Sequence, residues 1–255
     1  GLNSPFILLI YDNTGTQDKT EVTAYDNPYE VNRAIERLID SKGDNHDDYT
    51  PEEIEFIGYY SGYGGLENFG DFSDDELKGL LYEYFTPTDI CKKMWGLAYE
   101  YGYGTIGNGS VLEPSAGTGN FFKYAPEGVD IDGFEINSYS QQICNILYPK
   151  SEVSIAPFEK SFIKNNLSIK DKTEDLPKYS LVIGNPPYGK LKSMYIGMGE
   201  GKFSMATNFT EYFITRGLDM LVSGGLLVYI VGAEQKNGGT LFLDSTMSKV
   251  KKRIF

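Results

Sequence analysis

The chain has 255 residues, enough to bury one substantial core and a small second unit. No apolar run reaches the length of a membrane span and the apolar start has no basic leader, so we expect a cytoplasmic protein with no membrane partner. Two distant cysteines, Cys91 and Cys144, give no sign of a disulfide framework or a zinc site, and we expect no metal. His46 is the only histidine, which nearly excludes histidine-based catalysis.

The net charge of −13 is unevenly spread along the chain. Residues 1–100 hold 21 acidic and 7 basic side chains, whereas residues 101–255 hold 15 acidic and 16 basic ones. An acidic surface repels a phosphate backbone, and the second part of the chain is nearly neutral. We therefore expect this chain alone to bind nucleic acid weakly.

The first eighty residues predict a small acidic α+β unit. Its elements, in chain order, are strands at 6–11 and 21–25 and helices at 27–40, from 50 onward and at 73–84. The second helix has the strongest start signal, because Thr50 caps it and Pro51 fits its first turn. We divide the chain into this N-terminal unit, residues 1–80, whose role is open, and a second domain, residues 81–255.

A glycine-rich segment, Tyr59-Tyr-Ser-Gly-Tyr-Gly-Gly-Leu66, lies inside the N-terminal unit. Its glycines permit tight turns or the close approach of another backbone. It is not a phosphate-binding Walker loop, because no Gly-Lys-Ser/Thr follows it. A packed turn between two helices is the simplest interpretation.

A second glycine-rich stretch, Val111-Leu-Glu-Pro-Ser-Ala-Gly-Thr-Gly-Asn-Phe121, opens the second domain after a helix at 88–101. A short strand ends at Glu113, the chain turns through Gly117 and Gly119, and we expect a helix to follow. A nicotinamide cofactor is the competing interpretation, but it normally needs a third glycine and no Glu-Pro. Glu135 ends the next strand, where an acid can accept both hydroxyls of a ribose; a surface glutamate is the alternative.

The stretch Leu181-Val-Ile-Gly-Asn-Pro-Pro-Tyr-Gly189 predicts a buried strand that stops at a rigid turn. Asn185 carries a side-chain carbonyl, Pro186 offers a backbone carbonyl, and Tyr188 adds a flat ring. Two acceptors beside a stacking face are what a planar amino group needs to be held and polarised. A plain strand-ending turn is the alternative for a bare Asn-Pro-Pro.

Five predicted strands alternate with helices in the second domain. They lie at about 109–113, 129–134, 152–156, 179–184 and 226–231. This alternation predicts an α/β fold with a doubly wound parallel sheet, strand order 3-2-1-4-5, and ligands at the carboxyl ends of strands 1 and 4. A loop is expected at 190–207, helices at 208–221 and 245–254, and a turn at 223–225.

These motifs, in this order, resemble the N6-adenine DNA methyltransferases that use S-adenosylmethionine and carry Asn-Pro-Pro-Tyr. The resemblance covers about residues 84–254, and Phe85-Thr86-Pro87 is similar to the family's motif before the glycine-rich loop. Tyr59–Leu66 resembles an element of large DNA methylases of phages, plasmids and conjugative elements. The resemblance implies a class I methyltransferase, Rossmann-like, of restriction-modification or mobile-element type and prokaryotic, phage or plasmid origin.

The resemblance also implies the site. Its catalytic residues are Asn185, Pro186, Pro187 and Tyr188. Its cofactor-binding residues are Phe85, Thr86, Pro87, Glu113, Pro114, Ser115, Ala116, Gly117, Gly119, Asn120, Phe121, Glu135, Ile136, Phe158 and Asn185. The family often has an Asp beside a Phe after the third strand, whereas this chain has Ala156-Pro157-Phe158-Glu159, so that the acid is either missing or displaced to Glu159.

The implied substrate is an adenine flipped out of double-stranded DNA. DNA reading then needs a target-recognition domain or subunit that this chain lacks. Only 24 residues follow Val231, which predicts a missing closing hairpin and a fragment or shortened enzyme. Two alternatives stay open: a methyltransferase for N4-cytosine, RNA guanine N2 or protein glutamine, and a cofactor-binding module that is inactive without a partner or a missing C-terminal part.

Overall fold

The computed structural model describes the side chains at 27–66, 83–105, 109–161, 176–187 and 208–231, and the backbone alone at 6–11, 17–22, 162–164, 168–169, 235–236 and 239–240. Residues 73–82 of the helix expected at 73–84, the loop expected at 190–207, Tyr188 and the helix expected at 245–254 lie outside these ranges. Residues 83–84, the expected end of the first of these helices, are not helical.

The N-terminal unit starts with a hairpin and continues with two helices. Strand β1 (Phe6–Tyr11) pairs antiparallel with β2 (Gln17–Val22), which begins four residues before the predicted second strand. Helix α1 spans Pro28–Lys42 and α2 spans Pro51–Ile57. The capping box predicted for α2 is present, with the Thr50 hydroxyl accepting from the Glu53 N–H and the Glu53 carboxylate accepting from the Thr50 N–H.

The second domain is built on a five-stranded parallel sheet. Its elements in chain order are α3 (Thr88–Glu100), β3 (Val111–Glu113), β4 (Ile131–Glu135), α4 (Ser138–Leu147), β5 (Glu152–Ile155), β8 (Tyr179–Gly184), α5 (Phe209–Asp219) and β9 (Leu221–Tyr229). The strands lie in the order β5-β4-β3-β8-β9, and every neighbouring pair is parallel. This is the predicted doubly wound sheet of order 3-2-1-4-5, which is therefore confirmed.

Both faces of the sheet are covered by helices. On one face Trp95 of α3 packs in the same core cluster as Leu181 and Ile183 of β8. On the other face Tyr212 and Phe213 of α5 pack with the remaining apolar side chains of the central strands. Because β8 is buried along its whole length, its end presents the following turn at a fixed place.

The prediction of a helix after the glycine-rich loop is wrong, since only a 3-10 turn, Phe122–Tyr124, forms there. The Phe121 carbonyl accepts from the Tyr124 N–H at 3.3 Å, as in a 3-10 turn, and also from the indole N–H of Trp95 at 2.8 Å. Pro126 follows at once and has no N–H to continue a helix.

The start of the fifth sheet strand also differs from the prediction. The turn expected at 223–225 lies inside β9, because Leu221 already pairs with Tyr179 and the register shifts before Leu226 pairs with Leu181. Gly224 takes a φ of 81°, so the irregular stretch is absorbed within the strand as a bulge.

Two short hairpins lie outside the main sheet. Strand β6 (Ile163–Lys164) pairs with β7 (Ser168–Ile169), and β10 (Gln235–Lys236) pairs with β11 (Gly239–Thr240). In the described part of the chain, no helix has the length and hydropathy needed to cross a bilayer.

Candidate active site

A cleft opens at the carboxyl ends of β3 and β8, the place where sheets of this order bind ligands. Its walls bring together three stretches that are far apart in sequence: the residues before α3, the glycine-rich loop after β3 and the turn after β8. The lining residues are Tyr84, Phe85, Thr86, Glu113, Ser115, Ala116, Gly117, Thr118, Asn120, Phe121 and Asn185. Nine of these eleven were predicted from the sequence.

Side-chain hydrogen bonds join the three walls. The Asn120 amide donates to the Thr86 carbonyl at 2.8 Å, and the Ser115 hydroxyl donates to the Asn185 carbonyl at 3.2 Å. The ring of Phe85 lies over Gly117, where an added Cβ would stand 2.9 Å from Cδ1 of that ring. The glycine-rich loop is therefore clamped between the Phe-Thr-Pro motif and the Asn-Pro-Pro turn.

Glu113 points a buried carboxyl group into this cleft. Its side chain is 1% exposed, and no described atom is hydrogen-bonded to its Oε2. Burial raises the pKa of Glu113 well above its usual value, and the charge of Glu135 adds to this. An unpartnered buried carboxyl group is a favourable place for a ligand cation, because the cation would supply the missing partner.

Glu135 ends β4 beside the cleft, and its carboxylate is held by three backbone donors. Oε2 accepts from Gly117 N–H at 2.7 Å, while Oε1 accepts from Ile136 N–H at 2.7 Å and from Asn137 N–H at 2.8 Å. Ile136 itself is 76% exposed. This end of the site therefore offers a fixed carboxylate with an exposed apolar side chain next to it.

The Asn-Pro-Pro turn follows β8 directly. Asn185 lines the cleft, Pro186 is buried and Pro187 is exposed. The Asn185 backbone carbonyl accepts from Ser115, so the turn is held against the glycine-rich loop and Asn185 forms part of the cleft wall.

Six predicted cofactor residues lie outside the wall of the cleft: Glu135 and Ile136, described above, and Pro87, Pro114, Gly119 and Phe158. A Cβ at Gly119 would stand 2.7 Å from Cys144 Sγ, so this glycine, with a φ of 82°, packs the loop onto α4. The ring of Phe158 is buried between Phe134 and Phe213, at centroid distances of 5.9 and 5.1 Å. Glu159 is buried as well, and burial raises the pKa of its carboxyl group.

Sequence reasoning missed Tyr84 and Thr118 in the wall, and Glu83 and Asn137 behind it. Tyr84 adjoins the Phe-Thr-Pro motif and Thr118 separates the two loop glycines, so position alone could have indicated both. The Glu83 carboxylate accepts from the Asn137 side-chain amide. That contact joins residues 54 positions apart and has no local signal.

The sheet order, the acidic strand ends and the cleft between the two motif loops define a class I methyltransferase fold. The chain belongs to the Eco57I restriction-modification methylase family, whose model matches residues 118–246. The matched residues contain the end of the glycine-rich loop, Glu135 and the Asn-Pro-Pro turn, whereas Glu113 and Phe85-Thr86-Pro87 precede them.

Two curated relatives differ in how much of this chain they match. Defense against restriction protein B of Escherichia phage P1 is 29% identical over 239 residues, which are 93% of this chain and 9% of that protein. The Type II methyltransferase M.HincII of Haemophilus influenzae is 31% identical over 121 residues, 48% of this chain and 20% of that protein. The chain thus spans about a tenth to a fifth of the length of these relatives.

Solved structures agree on the fold. A structure from Listeria monocytogenes, assigned as a class I S-adenosylmethionine-dependent methyltransferase, gives a TM-score of 0.53 at 19% identity, covering 89% of this chain and 73% of that one. The type I restriction-modification methyltransferase subunit of Streptococcus thermophilus gives 0.50 at 15% identity, covering 91% and 50%. These neighbours match the predicted fold and agree with the predicted cofactor, S-adenosylmethionine.

Proposed function

We propose that this chain transfers a methyl group from S-adenosylmethionine to the N6 amine of an adenine flipped out of double-stranded DNA. The observation that carries the proposal is the Ser115–Asn185 hydrogen bond, which joins the glycine-rich loop to the Asn-Pro-Pro turn in one cleft. The relation to a Type II methyltransferase and the fold shared with a restriction-modification methyltransferase subunit support DNA as the substrate.

The side chains in and beside the cleft are chemically suited to S-adenosylmethionine. The buried Glu113 carboxyl group, with Oε2 unpartnered among the described atoms, fits the ammonium of a methionine moiety. The fixed carboxylate of Glu135 fits the two hydroxyls of a ribose, and the exposed Ile136 side chain fits the neighbouring base. S-adenosylmethionine, when bound, supplies the electrophilic methyl group.

The Asn-Pro-Pro-Tyr turn would activate the amine. An exocyclic amine on adenine is a poor nucleophile, because its lone pair is delocalised into the ring. The Asn185 side-chain oxygen and the Pro186 carbonyl accept its two hydrogens, which draws the nitrogen toward tetrahedral geometry and localises the lone pair. Pro187 stiffens the turn, and Tyr188 stacks on the flipped base. Positioning and electrostatics therefore carry most of the rate.

The test is methylation of DNA by the wild type, Asn185→Ala and Tyr188→Ala, with the products digested to nucleosides and identified by mass spectrometry. We expect N6-methyladenine from the wild type and a loss of about 100-fold or more in both variants, since each removes a group that acts in the transition state. Cofactor binding, followed by calorimetry, should persist in both and disappear in Glu135→Ala. Full activity of both variants would overturn this mechanism.

The substrate class is tested by offering RNA and protein as well as DNA and identifying the methylated nucleoside or amino acid by mass spectrometry. A methyl group on cytosine N4, on guanine N2 of RNA or on a protein glutamine would leave the proposed cofactor site unchanged but replace adenine as the acceptor. Because the chain spans a small part of its relatives, a cofactor-binding module that acts with a further domain or subunit is a second candidate. Cofactor binding without transfer, with activity restored by a longer chain or a DNA-reading partner, would favour that candidate.

A further inference from the structure

The structure gives a role to the glycine segment, Tyr59–Leu66, which the proposed chemistry does not use. The segment is anchored on α1 by the fully buried Asn32, whose amide donates to the Gly62 carbonyl at 2.6 Å and whose Oδ1 accepts from Ser61 N–H at 3.0 Å. The side-chain N–H and the side-chain oxygen of Asn32 therefore both bind this segment and hold it in one position.

The glycine segment lies directly against residues 83–85, the stretch before the Phe-Thr-Pro helix. A Cβ at Gly62 or at Gly64 would stand 2.8 Å from the Glu83 carbonyl oxygen, closer than any side chain can approach. The Tyr63 N–H donates to the Glu83 carboxylate at 3.2 Å, and the Tyr60 and Phe85 rings lie 6.1 Å apart. The glycines thus allow the backbone of the glycine segment to contact the backbone at Glu83. Glu83 and Phe85 are held in place by this contact.

Residues 83–85 in turn support both ends of the Glu135 site. Phe85 lies against Gly117, whose N–H holds Oε2 of Glu135. Glu83 accepts from the side chain of Asn137, whose backbone N–H holds Oε1 of Glu135. Two of the three donors on the Glu135 carboxylate therefore rest on this one short stretch.

A charged carboxylate at position 83 is destabilised by burial and by neighbouring negative charges, which argues that the side chain has a functional role. The pKa of Glu83 is raised to about 7, chiefly by burial and also by the neighbouring carboxylates of Glu36 and Glu135. The hydrogen bonds from Tyr63 N–H and the Asn137 side chain oppose this effect. A neutral side chain would avoid the like-charge repulsion but would lose one of the two acceptors that bridge the glycine segment and Asn137.

We propose that Glu83, seated on the glycine segment, is a positioning residue that acts through Asn137 to hold the Glu135 carboxylate ready for the cofactor ribose. The inference rests on the proposed cofactor site. It assigns to the N-terminal unit a part in cofactor recognition, although that unit supplies no side chain to the wall of the described cleft.

Two variants separate positioning from general stability. Glu83→Gln keeps one acceptor oxygen and the size of the side chain. Asn137→Ser removes the amide that reaches Glu83 but keeps an oxygen to cap α4, where Asn137 now accepts from Ser140 N–H at 3.0 Å. Glu127→Gln, at an exposed position in the loop before β4, is the matched control.

The readout is the affinity for S-adenosylhomocysteine divided by the affinity for its 2′-deoxy analogue, both measured by calorimetric titration. The wild type should prefer the intact ribose by about tenfold or more, as expected for one hydrogen bond to a charged group. We expect this preference to fall about threefold or more in each variant, to fall little further in the double variant, and to stay unchanged in Glu127→Gln.

Each outcome bears on a separate claim. A folded Glu83→Gln or Asn137→Ser chain could lose the same factor of affinity for both nucleosides, which would leave the preference for the intact ribose unchanged. In that case the role of Glu83 is only structural, and the inference is overturned. If the wild type binds neither nucleoside, the proposed cofactor site itself is overturned, and the inference with it. Circular dichroism on every variant establishes that the comparison is made between folded chains.

Discussion

Glu113 and Glu135 end neighbouring strands but have opposite surroundings. Glu135 accepts three backbone hydrogen bonds, whereas Oε2 of Glu113 has no partner among the described atoms. Burial therefore raises the pKa of Glu113, with the charge of Glu135 as a second cause. Without a ligand the protonated form of Glu113 is favoured, because a carboxylate there would be both desolvated and repelled.

This difference predicts that cofactor binding releases a proton from Glu113. The incoming ammonium favours the carboxylate, so the pKa of Glu113 falls on binding, and affinity rises with pH until the pH exceeds the raised pKa of the free protein. Calorimetric titration with S-adenosylmethionine, repeated in buffers of different ionisation enthalpy, measures the protons released.

The control for this experiment is a pair of isosteric variants. Glu113→Gln cannot release a proton, so its binding heat should not depend on the buffer, and its affinity should be weaker at high pH. Glu127→Gln, in the exposed loop, should behave as the wild type does. Equal proton release from the wild type and Glu113→Gln would assign the linkage to another group.

Helix α5 approaches β9 through a glycine. A Cβ at Gly217 would stand 2.5 Å from Cδ1 of Leu227 and 2.9 Å from Oη of Tyr229, so a larger residue has to displace the ends of these two side chains. Gly217→Ala should lower the free energy of unfolding by about 1–3 kcal/mol, since the added methyl group forces these side chains to repack. Urea denaturation followed by circular dichroism measures this.

Gly96 provides the opposite case within the same sheet domain. A Cβ at this exposed position in α3 would meet nothing within 4 Å. Gly96→Ala should therefore raise the free energy of unfolding by about 0.5–1 kcal/mol, through helix propensity alone. Equal effects of the two substitutions would mean that the α5–β9 contact yields easily and does not limit stability.

The elements that the sequence predicted well are those with a strong local signal. The strand ending at Gly184 is a continuous apolar run closed by Asn-Pro-Pro, and the Thr50 capping box is a four-residue pattern. The start of β9 was missed because Ser-Gly-Gly is typical of a turn, although pairing between Leu221 and Tyr179 overrides it. In place of the helix expected after the glycine-rich loop there is a 3-10 turn, whose Phe121 carbonyl also accepts from Trp95, 26 residues away, a contact that no local pattern indicates.

The candidate site divides in the same way. Residues inside motifs were found from the sequence, because a strand end followed by glycine or proline fixes where their side chains lie. Glu83 and Asn137 were not predicted, because each lies just outside a motif. Their contact depends on how the N-terminal unit packs against the sheet domain. Tertiary packing, rather than local pattern, decides what supports the cofactor end of the cleft.

At the scale of the whole molecule, the N-terminal unit and the sheet domain share a core. Ile143 and Ile146 of α4 are fully buried in the same cluster as the apolar faces of α1 and α2. Phe85 packs against this cluster as well as over the cofactor loop. The two parts are therefore joined by a continuous apolar contact and by the hydrogen bonds that end on Glu83.

We expect that residues 81–255 alone will not form a stable cofactor-binding domain. Removing the N-terminal unit would expose Ile143 and Ile146, which costs about 1.5–3 kcal/mol for each side chain, against a total stability of about 5–15 kcal/mol for a typical protein. Thermal unfolding of the full chain should show one transition, and the shortened chain should aggregate or bind S-adenosylhomocysteine at least about tenfold more weakly. A control is the double variant Ile143→Ser, Ile146→Ser of the shortened chain. It should restore solubility without restoring affinity for the cofactor, which separates the loss of solubility from the loss of the cofactor site. A shortened chain that binds as tightly as the full one would show that residues 1–80 fold and act independently of the methylase domain.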